Sequence, residues 1–446
     1  MSESHASSVT LSDAPPMGAK LGSQLSIMMF LQYAIWGAWL PLLWPFLSGH
    51  RNFPGNEIGH MFAIGAVGAI IAPFVAGQIA DRFFATEKFL GISHIIGGVL
   101  IWNLSSLDGY WPFLAFSFAY SVVYSPTLSL TNSLAFHHLP DRDRDFGRVR
   151  MWGTIGWIAV GIGIGQWLLH RHTPAEGSAA VIQAAQYAGM ADAFKLSGGL
   201  GIIMGIFCFV GLPSTPPSKE KKSNASLKAL GEIKKNPLLT LFLLAVPISC
   251  IHQFYFVHTS TFLGIYQAKA EGFIDLVNKI VGVGGGGLMT IGQMSEFGVL
   301  ALIPLVAKRL SRKSLLAIGI VAYGLRMFLF AYVEVLPLPE VLTLILGVAL
   351  HGVCFGCFIF VAFMIVDEET TGDVRASAQS LFNLVIIGIG IIVGSLVAGE
   401  VAERATVNGV MNYRTLFSFP MWTAVVCLVI LLAFYPGGRQ APKHPD

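Results

Sequence analysis

Long apolar stretches alternate with short polar ones along most of the chain. A helix needs about 20 apolar residues to cross the hydrocarbon core of a bilayer, which is roughly 30 Å thick. Twelve stretches approach this length, so the pattern predicts an all-α integral membrane protein with twelve transmembrane helices. The predicted spans are residues 24–47, 58–80, 89–107, 112–134, 151–170, 194–212, 238–263, 287–307, 314–334, 341–366, 376–399 and 415–436.

The most polar interior stretch, residues 213–237, contains six lysines and lies between the sixth and seventh predicted spans. It divides the apolar part of the chain into an N-terminal six-helix bundle, 24–212, and a C-terminal six-helix bundle, 238–436. Polar tails, 1–23 and 437–446, flank the two bundles. Two halves of similar length joined by a polar linker are typical of transporters that bind substrate between two repeats.

The distribution of positive charge predicts the orientation. An even number of spans places both termini on the same side of the membrane. If that side is the cytoplasm, twenty of the 28 lysine and arginine residues fall in cytoplasmic segments and seven in external ones, while Arg326 lies inside the ninth predicted span. Because cytoplasmic loops carry an excess of lysine and arginine, both termini and the linker are predicted to be cytoplasmic.

Composition narrows the functional class. Hydrophobic residues make up 54% of the chain and charged residues 12%, against about 25% charged residues in soluble domains. This balance argues against a soluble enzyme, a disordered protein and a nucleic-acid-binding protein. The basic linker is interpreted as a solvated tether near anionic membrane lipid headgroups. Since the chain carries no ATP-binding motif, transport is expected to draw on an ion gradient.

A candidate gate closes the second predicted span, where the sequence reads Gly77-Gln-Ile-Ala-Asp81-Arg82. Glycine lets neighbouring helices approach closely. An aspartate at a helix end can pair with a facing cation or with the positive N-terminus of another helix. Such a contact would hold a cytoplasmic gate shut and release it on opening, although an ordinary ion pair at the membrane surface explains the same residues.

Polar residues inside spans are expensive in hydrocarbon and mark functional sites. The fifth span begins with Arg150, Thr154 and Trp157 at helical spacing, so a cation, a hydroxyl and an aromatic ring share one face. That combination suits a ligand with a ring and oxygen atoms. The alternative is that Arg150 extends to the cytoplasmic surface and Trp157 packs against lipid or protein.

The eighth span places Gln293 and Glu296 on one face. Burial among apolar neighbours disfavours a charged carboxylate, which makes Glu296 a candidate proton carrier or hydroxyl acceptor. A structural hydrogen bond to Arg326 of the next span is the alternative. The glycine run that precedes this span, 284–287, lacks the lysine of a phosphate-binding loop and is interpreted as a flexible start to the helix.

Two further spans carry candidate ligand groups. Gln253 of the seventh span can donate and accept hydrogen bonds at once, which matches a planar amide or a pyrimidine edge. His351 and Phe355 share a face of the tenth span, where a lone histidine is more often a packing residue than a proton relay. The sequence shows no metal-ligand spacing and indicates no cofactor.

Five stretches together resemble one family, the nucleoside:proton symporters of the major facilitator superfamily. The resemblance covers about residues 24–436. Its motifs are Phe30-Leu-Gln32-Tyr33-Ala-Ile-Trp36-Gly37-Ala-Trp39, Pro126-Thr-Leu-Ser-Leu-Thr-Asn132-Ser133, Arg150-Met-Trp-Gly-Thr154-Ile-Gly-Trp157, Gln293-Met-Ser-Glu296 and Arg375-Ala-Ser-Ala-Gln379.

The resemblance implies a monomeric, non-enzymatic, multi-pass protein that takes up nucleosides with protons across the cell inner membrane. It places substrate between the two bundles, with the base stacked on aromatic rings and the ribose held by the eighth span. Glu296 is expected to carry the coupled proton, with His351 as the second candidate. The residues that fall on substrate-site positions of the family are Arg150, Thr154, Trp157, Gln253, Gln293, Glu296, His351 and Phe355.

Three positions depart from the family pattern. Gly356 stands where the family has an acidic residue, Phe256 where it has a polar amide, and His351 where it has an aromatic hydroxyl. The site is therefore less acidic and less polar. Two other functions stay open, a facilitator or exporter of another polar ring-bearing solute and a membrane sensor or enzyme that uses the intramembrane histidines.

Overall fold

The computed structural model describes residues 15–75, 85–216, 231, 233–269, 271–307, 309–371 and 374–437. The fold is almost entirely helical across these ranges. The predicted gating residues Gly77, Asp81 and Arg82 lie outside the described residues, as do most of the linker and both distal tails.

The helices of the N-terminal half alternate long membrane-length elements with two short ones. A 3-10 turn, Leu40–Leu42, joins the first long helix to the first short one. In chain order the helices are α1 Ala19–Trp39, α2 Leu43–Gly49, α3 Gly55–Val75, α4 Thr86–Leu104, α5 Tyr110–His138, α6 Arg142–Arg171, α7 Ala179–Gly189 and α8 Ala191–Val210.

The C-terminal half repeats this organisation and adds two π-helical turns, Phe355–Phe360 and Leu384–Ile389, inside its long helices. Its helices are α9 Leu238–Gln267, α10 Phe273–Val281, α11 Gly286–Val306, α12 Arg312–Ala331, α13 Glu340–Cys354, α14 Val361–Glu368, α15 Arg375–Asn383, α16 Gly390–Ala405 and α17 Tyr413–Phe434. A two-residue hairpin, β1 Thr406–Val407 and β2 Val410–Met411, pairs antiparallel before α17.

Within the described ranges, ten helical stretches are long and apolar enough to cross a membrane, and α3 holds a shorter apolar stretch, Gly55–Ile71. Their outward faces carry large apolar side chains, such as Val210 at 81% and Trp422 at 62% exposure. A soluble monomer rarely exposes apolar patches of this extent. The prediction of a nearly all-helical membrane protein is therefore confirmed.

Glycine contacts bring helices of the same half close together. In the N-terminal half, α4 lies on α8 where a Cβ at Gly98 would come within 2.8 Å of the carbonyl oxygen of Gly198. The helix α1 packs on α6, and α3 on α5. In the C-terminal half, α12 packs on α17, α9 on α16, and α11 on α13. Small residues permit this tight packing. Helices in lipid gain no hydrophobic stabilisation from association, so van der Waals contacts of this kind hold them together.

The two halves meet through α3 with α16 and through α6 with α11. A Cβ at Gly59 would lie 2.8 Å from the carbonyl oxygen of Ser395, so only glycine fits there. The amide of Val283 donates to the carbonyl of Gly165 at 3.0 Å. These contacts lie at the end of the molecule where α2, α10 and the hairpin are found, which we call the packed end.

The glycine run before α11 is part of the packed end. Gly284 and Gly285 have φ of +84° and +82°, a conformation that side chains disfavour. The amide of Gly285 donates to Oε1 of Gln267 at 2.7 Å, and a Cβ at Gly285 would collide with the backbone of Ser260. We expected a flexible start to the helix, whereas the structure shows a segment fixed by hydrogen bonds and close packing.

Candidate functional site

The helix α6 presents Arg150 toward α1. Its guanidinium lies over the ring of Tyr33, 4.0 Å from the centroid, in cation–π geometry. A Cβ at Gly153 would come within 2.6 Å of the same ring, so glycine allows this approach. Tyr33 was part of a resemblance motif, but its contact with Arg150 was not predicted because the two residues lie on separate helices.

Thr154 and Trp157 continue the predicted stripe along α6, and both are half-buried. The Trp157 ring meets Trp36 edge-on, with centroids 5.7 Å apart. A Cβ at Gly37 would lie 2.9 Å from the Trp157 ring, so the absence of a side chain at Gly37 lets the indole pack against α1. The helix α1 therefore fixes the orientation of the stripe without covering it completely.

Glu296 of α11 and His351 of α13 face each other in the C-terminal half. Oε2 of Glu296 lies 3.4 Å from Nε2 of His351. The Glu296 side chain is 22% exposed and the His351 side chain 2%, so the carboxylate lies between a buried imidazole and open space. The helix α11 packs against α6 of the other half, which carries Arg150, and a Cβ at Gly161 would lie 2.9 Å from Cγ2 of Thr290. The structure thus brings together predicted residues from both halves.

The remaining predicted residues lie on neighbouring elements. Gln293 is buried one turn before Glu296, and its Oε1 has no hydrogen-bond partner among the described residues. Gln253 is buried on α9 and lies against Gly394 of α16, where an added Cβ would come within 2.9 Å of the Cβ of Gln253. Phe355 is half-buried and opens the first π-helical turn. Such turns are frequent at functional sites because they reorient side chains.

A fully buried arginine lies behind the Glu296–His351 pair. Arg326 of α12 donates from Nη1 to Nδ1 of His351 at 3.2 Å. Its guanidinium lies over the rings of Tyr255 and Tyr323, at 4.2 Å and 5.1 Å from their centroids. We expected Arg326 to be a direct partner of Glu296 if the carboxylate was structural. The structure places His351 between them.

Histidine and tyrosine residues complete this cluster. Tyr255 stacks on His351, with centroids 4.9 Å apart and ring planes 18° apart. Nδ1 of His252 lies 2.8 Å from the hydroxyl of Tyr323. Tyr323 was missed, although its position three residues before Arg326 is a signal that both residues share a helix face. We call Glu296, His351, Arg326, Tyr255, Tyr323 and His252 the charged cluster.

His258 lies apart from the charged cluster. Its Nε2 donates to the carbonyl of Ala398 at 3.1 Å, and its ring meets Trp44 at 4.2 Å between centroids. These contacts join α9 to α16 and to α2. His258 therefore belongs to the packed end, where it acts in packing.

The positions that depart from the family pattern are filled by apolar contacts. A Cβ at Gly356 would lie 2.7 Å from Cγ1 of Val299, so an acidic side chain there would displace that valine. Phe256 packs against His252 and His351, with centroids 5.1 Å and 5.7 Å away. Glu296 is the one carboxylate among the predicted substrate-site residues.

A separate cleft of about 670 Å³ lies at the packed end of the C-terminal half. It contains none of the predicted site residues. Its aromatic and basic lining includes Phe262, Tyr266, Lys269, Tyr413 and Arg414. Because it belongs to one half only, it is not the space in which residues of the two halves meet.

The sequence model of the family described as "Nucleoside H+ symporter" matches residues 19–439. The chain belongs to this family. It is 30% identical over 429 residues to the "Putative nucleoside transporter YegT" of Escherichia coli strain K12, covering 93% of this chain and 94% of the relative. It is 27% identical over 440 residues to the "Nucleoside permease NupG" of the same organism, covering 94% and 99%.

The crystal structure of the nucleoside transporter NupG superposes with a TM-score of 0.79 at 25% identity, over 93% of this chain and 98% of that chain. A D-xylose-proton symporter has the same fold, with a TM-score of 0.66 at 13% identity. Family membership confirms the prediction of a nucleoside transporter driven by protons, and it confirms that the protein is not an enzyme.

Proposed function

We propose that this symporter takes up nucleosides across the cell inner membrane through twelve transmembrane helices with both termini in the cytoplasm. The helices α3 and α4 would supply the two spans beyond the ten that are apolar enough on their own. The proposed bundles are residues 24–212 and 238–436, joined by the basic linker 213–237. The excess of lysine and arginine on one side supports this orientation, which makes the packed end external.

The observation that carries the site assignment is the packing of α6 against α11, the helices of opposite halves that carry Arg150 and Glu296. Trp157 and Phe355 present half-buried rings on which a base can stack. Oε1 of Gln293, which has no partner within the described part of the chain, can accept from a ribose hydroxyl. Gln253 supplies an amide for the edge of the base, and Thr154 lies one turn from Arg150 on the same face.

Proton coupling follows from the position of Glu296. When ionised, its carboxylate attracts Arg150 across the space between the halves. Protonation removes this attraction, which changes the free-energy difference between the two conformations of an alternating-access cycle. The cytoplasmic gate would involve Gly77, Asp81 and Arg82. We propose that the protein works as a monomer surrounded by membrane lipid.

The test is thermal stabilisation of the purified protein against nucleosides, free bases, sugars and nucleotides. A ligand that binds the folded state at 100 times its Kd adds about 2.7 kcal/mol of stability. We expect stabilisation by nucleosides and none by sugars or free bases at equal concentration. Stabilisation by a different ring-bearing solute alone would favour the second candidate function, a facilitator or exporter, which the apolar contacts of Gly356 and Phe256 motivate.

A further inference from the structure

The charged cluster contains a permanently charged residue, Arg326, that has no part in the transport cycle proposed above. Arg326 is 0% exposed, and its Nε and Nη2 have no hydrogen-bond partner among the described residues. A buried charge is costly, so its retention calls for a function. We propose that Arg326 is a positioning residue that holds His351 as a neutral imidazole whose Nε2–H points at Glu296. This inference rests on the proposed function of Glu296.

The hydrogen bond between Arg326 and His351 fixes the tautomer. A guanidinium has five N–H donors and no acceptor. Nδ1 of His351, at 3.2 Å from Nη1, must therefore be the acceptor and carries no proton. A neutral imidazole has one proton, which is then on Nε2. That nitrogen is the one that lies 3.4 Å from Oε2 of Glu296.

The surrounding rings hold the imidazole in this orientation. Tyr255 stacks on one face with only 18° between the planes, and Phe256 meets the ring nearly perpendicularly at 82°. A Cβ at Gly292 would come within 3.1 Å of the Cβ of His351, so α11 and α13 are in close contact here. Because the ring cannot turn freely, Nε2 stays directed toward the carboxylate.

The same geometry opposes a second proton on His351. A proton on Nδ1 would point at a guanidinium and place two cations side by side in a buried site. The titratable and charged groups around this ring are His252 and Tyr255 of α9, Glu296 of α11, Tyr323 and Arg326 of α12, and Cys354 of its own helix. Glu296, whose carboxylate lies beside Nε2 and is partly exposed, is then the partner of His351 that takes up and releases the coupled proton.

The test compares Arg326→Lys with Arg326→Met in proteoliposomes, with the pH dependence of proton-driven nucleoside uptake as readout. Lysine has only donors, so Arg326→Lys should keep the single titration step of the wild type. Methionine frees Nδ1 and removes the cation beside it, so Arg326→Met should add a second titration step that the wild type lacks. Adding His351→Gln to Arg326→Met should remove that second step. A profile unchanged by Arg326→Met, or a second step already present with Arg326→Lys, would overturn the proposal.

A measurement on the wild-type protein covers the case in which the variants fail to fold. Nitrogen NMR of protein labelled with ¹⁵N at histidine reports the protonation of each ring nitrogen. The signals of His351 are identified as those that disappear in His351→Gln. In the wild type they should show Nδ1 unprotonated and Nε2 protonated. A proton on Nδ1 would overturn the proposal. Nucleoside stabilisation of the same sample separates the two claims, since its absence would count against the transport function and leave the tautomer result standing.

Discussion

A buried polar cluster lies near the middle of the sequence motifs of each half, around Gln32 in the first and around His351 in the second, and the two clusters differ in charge. In the N-terminal half, Gln32 of α1 is the centre. Its Nε2 donates to Oγ1 of Thr127 at 2.8 Å, its Oε1 lies 2.9 Å from Nε2 of His94, and its carbonyl accepts from the Tyr124 hydroxyl at 2.5 Å. The second ring nitrogen of His94 lies 2.8 Å from the carbonyl of Leu90. This cluster contains amide, hydroxyl and imidazole groups in mutual contact.

In the charged cluster of the C-terminal half, a carboxylate contacts an imidazole, which in turn contacts a guanidinium. Glu296, its outer member, is partly exposed, while Arg326 is fully buried with two nitrogens unpartnered among the described residues. Removing one member of the uncharged N-terminal cluster leaves a polar atom unpaired in an apolar interior, which lowers stability. Changing a charge in the charged cluster also changes how strongly its neighbours bind protons. The contrast supports our proposal that the C-terminal cluster binds the proton, and it suggests that the N-terminal cluster positions helices.

The largest effect should come from neutralising the carboxylate of the charged cluster. Glu296→Gln keeps the side-chain shape and removes the titrating group, so the part of nucleoside accumulation that depends on the pH gradient should disappear. Counterflow exchange, which needs no net proton movement, should fall far less. Both are measured in proteoliposomes with and without a pH gradient. The matched control, Glu271→Gln, removes an exposed carboxylate and should leave accumulation intact. Unchanged accumulation in Glu296→Gln would contradict the assignment.

The next largest effect should be on nucleoside affinity, through the Trp157 ring that we propose as the stacking surface of the N-terminal half. Trp157→Ala removes a half-buried indole, and aromatic stacking contributes about 0.5–1.5 kcal/mol beyond area burial, or about two- to twelve-fold in Kd. Nucleoside affinity, measured by equilibrium binding, should weaken by at least this factor while the pH dependence stays the same. Trp152→Ala is the control, because Trp152 lies on the same helix and is 41% exposed. Equal affinities for Trp157→Ala and wild type would remove Trp157 from the site.

The sequence predicted features that depend on one helix at a time. A span of about 20 apolar residues identifies a membrane helix by length alone, and Gln293 and Glu296 share a face because they are three residues apart. The short helices α7 and α10, of 11 and 9 residues, were missed because they are too short to span a bilayer and lie between spans. The hairpin before α17 was missed for the same reason.

Features that depend on how helices pack could not be read from the sequence. Arg326 and Glu296 occur on consecutive spans, which made a direct pair plausible, but α13 places His351 between them. The cation–π contact between Arg150 and Tyr33 joins helices more than a hundred residues apart in sequence. Glycine gave a misleading signal at 284–287, since its freedom at positive φ is used to fix the backbone.

The smallest expected effect on transport comes from the polar cluster around Gln32 in the N-terminal half. Thr127→Val preserves shape but removes the hydroxyl that accepts from Gln32, which leaves a buried amide donor unpaired at about 1–3 kcal/mol. The thermal stability of the detergent-purified protein should fall accordingly, while the pH profile of uptake should keep its wild-type midpoint. The control is Thr423→Val. The exposed hydroxyl of Thr423 donates to the Phe419 carbonyl of its own helix, so the stability of this variant should hardly change. A shift in the midpoint with Thr127→Val would show that the N-terminal cluster also takes part in proton binding, and the functional contrast between the halves would be wrong.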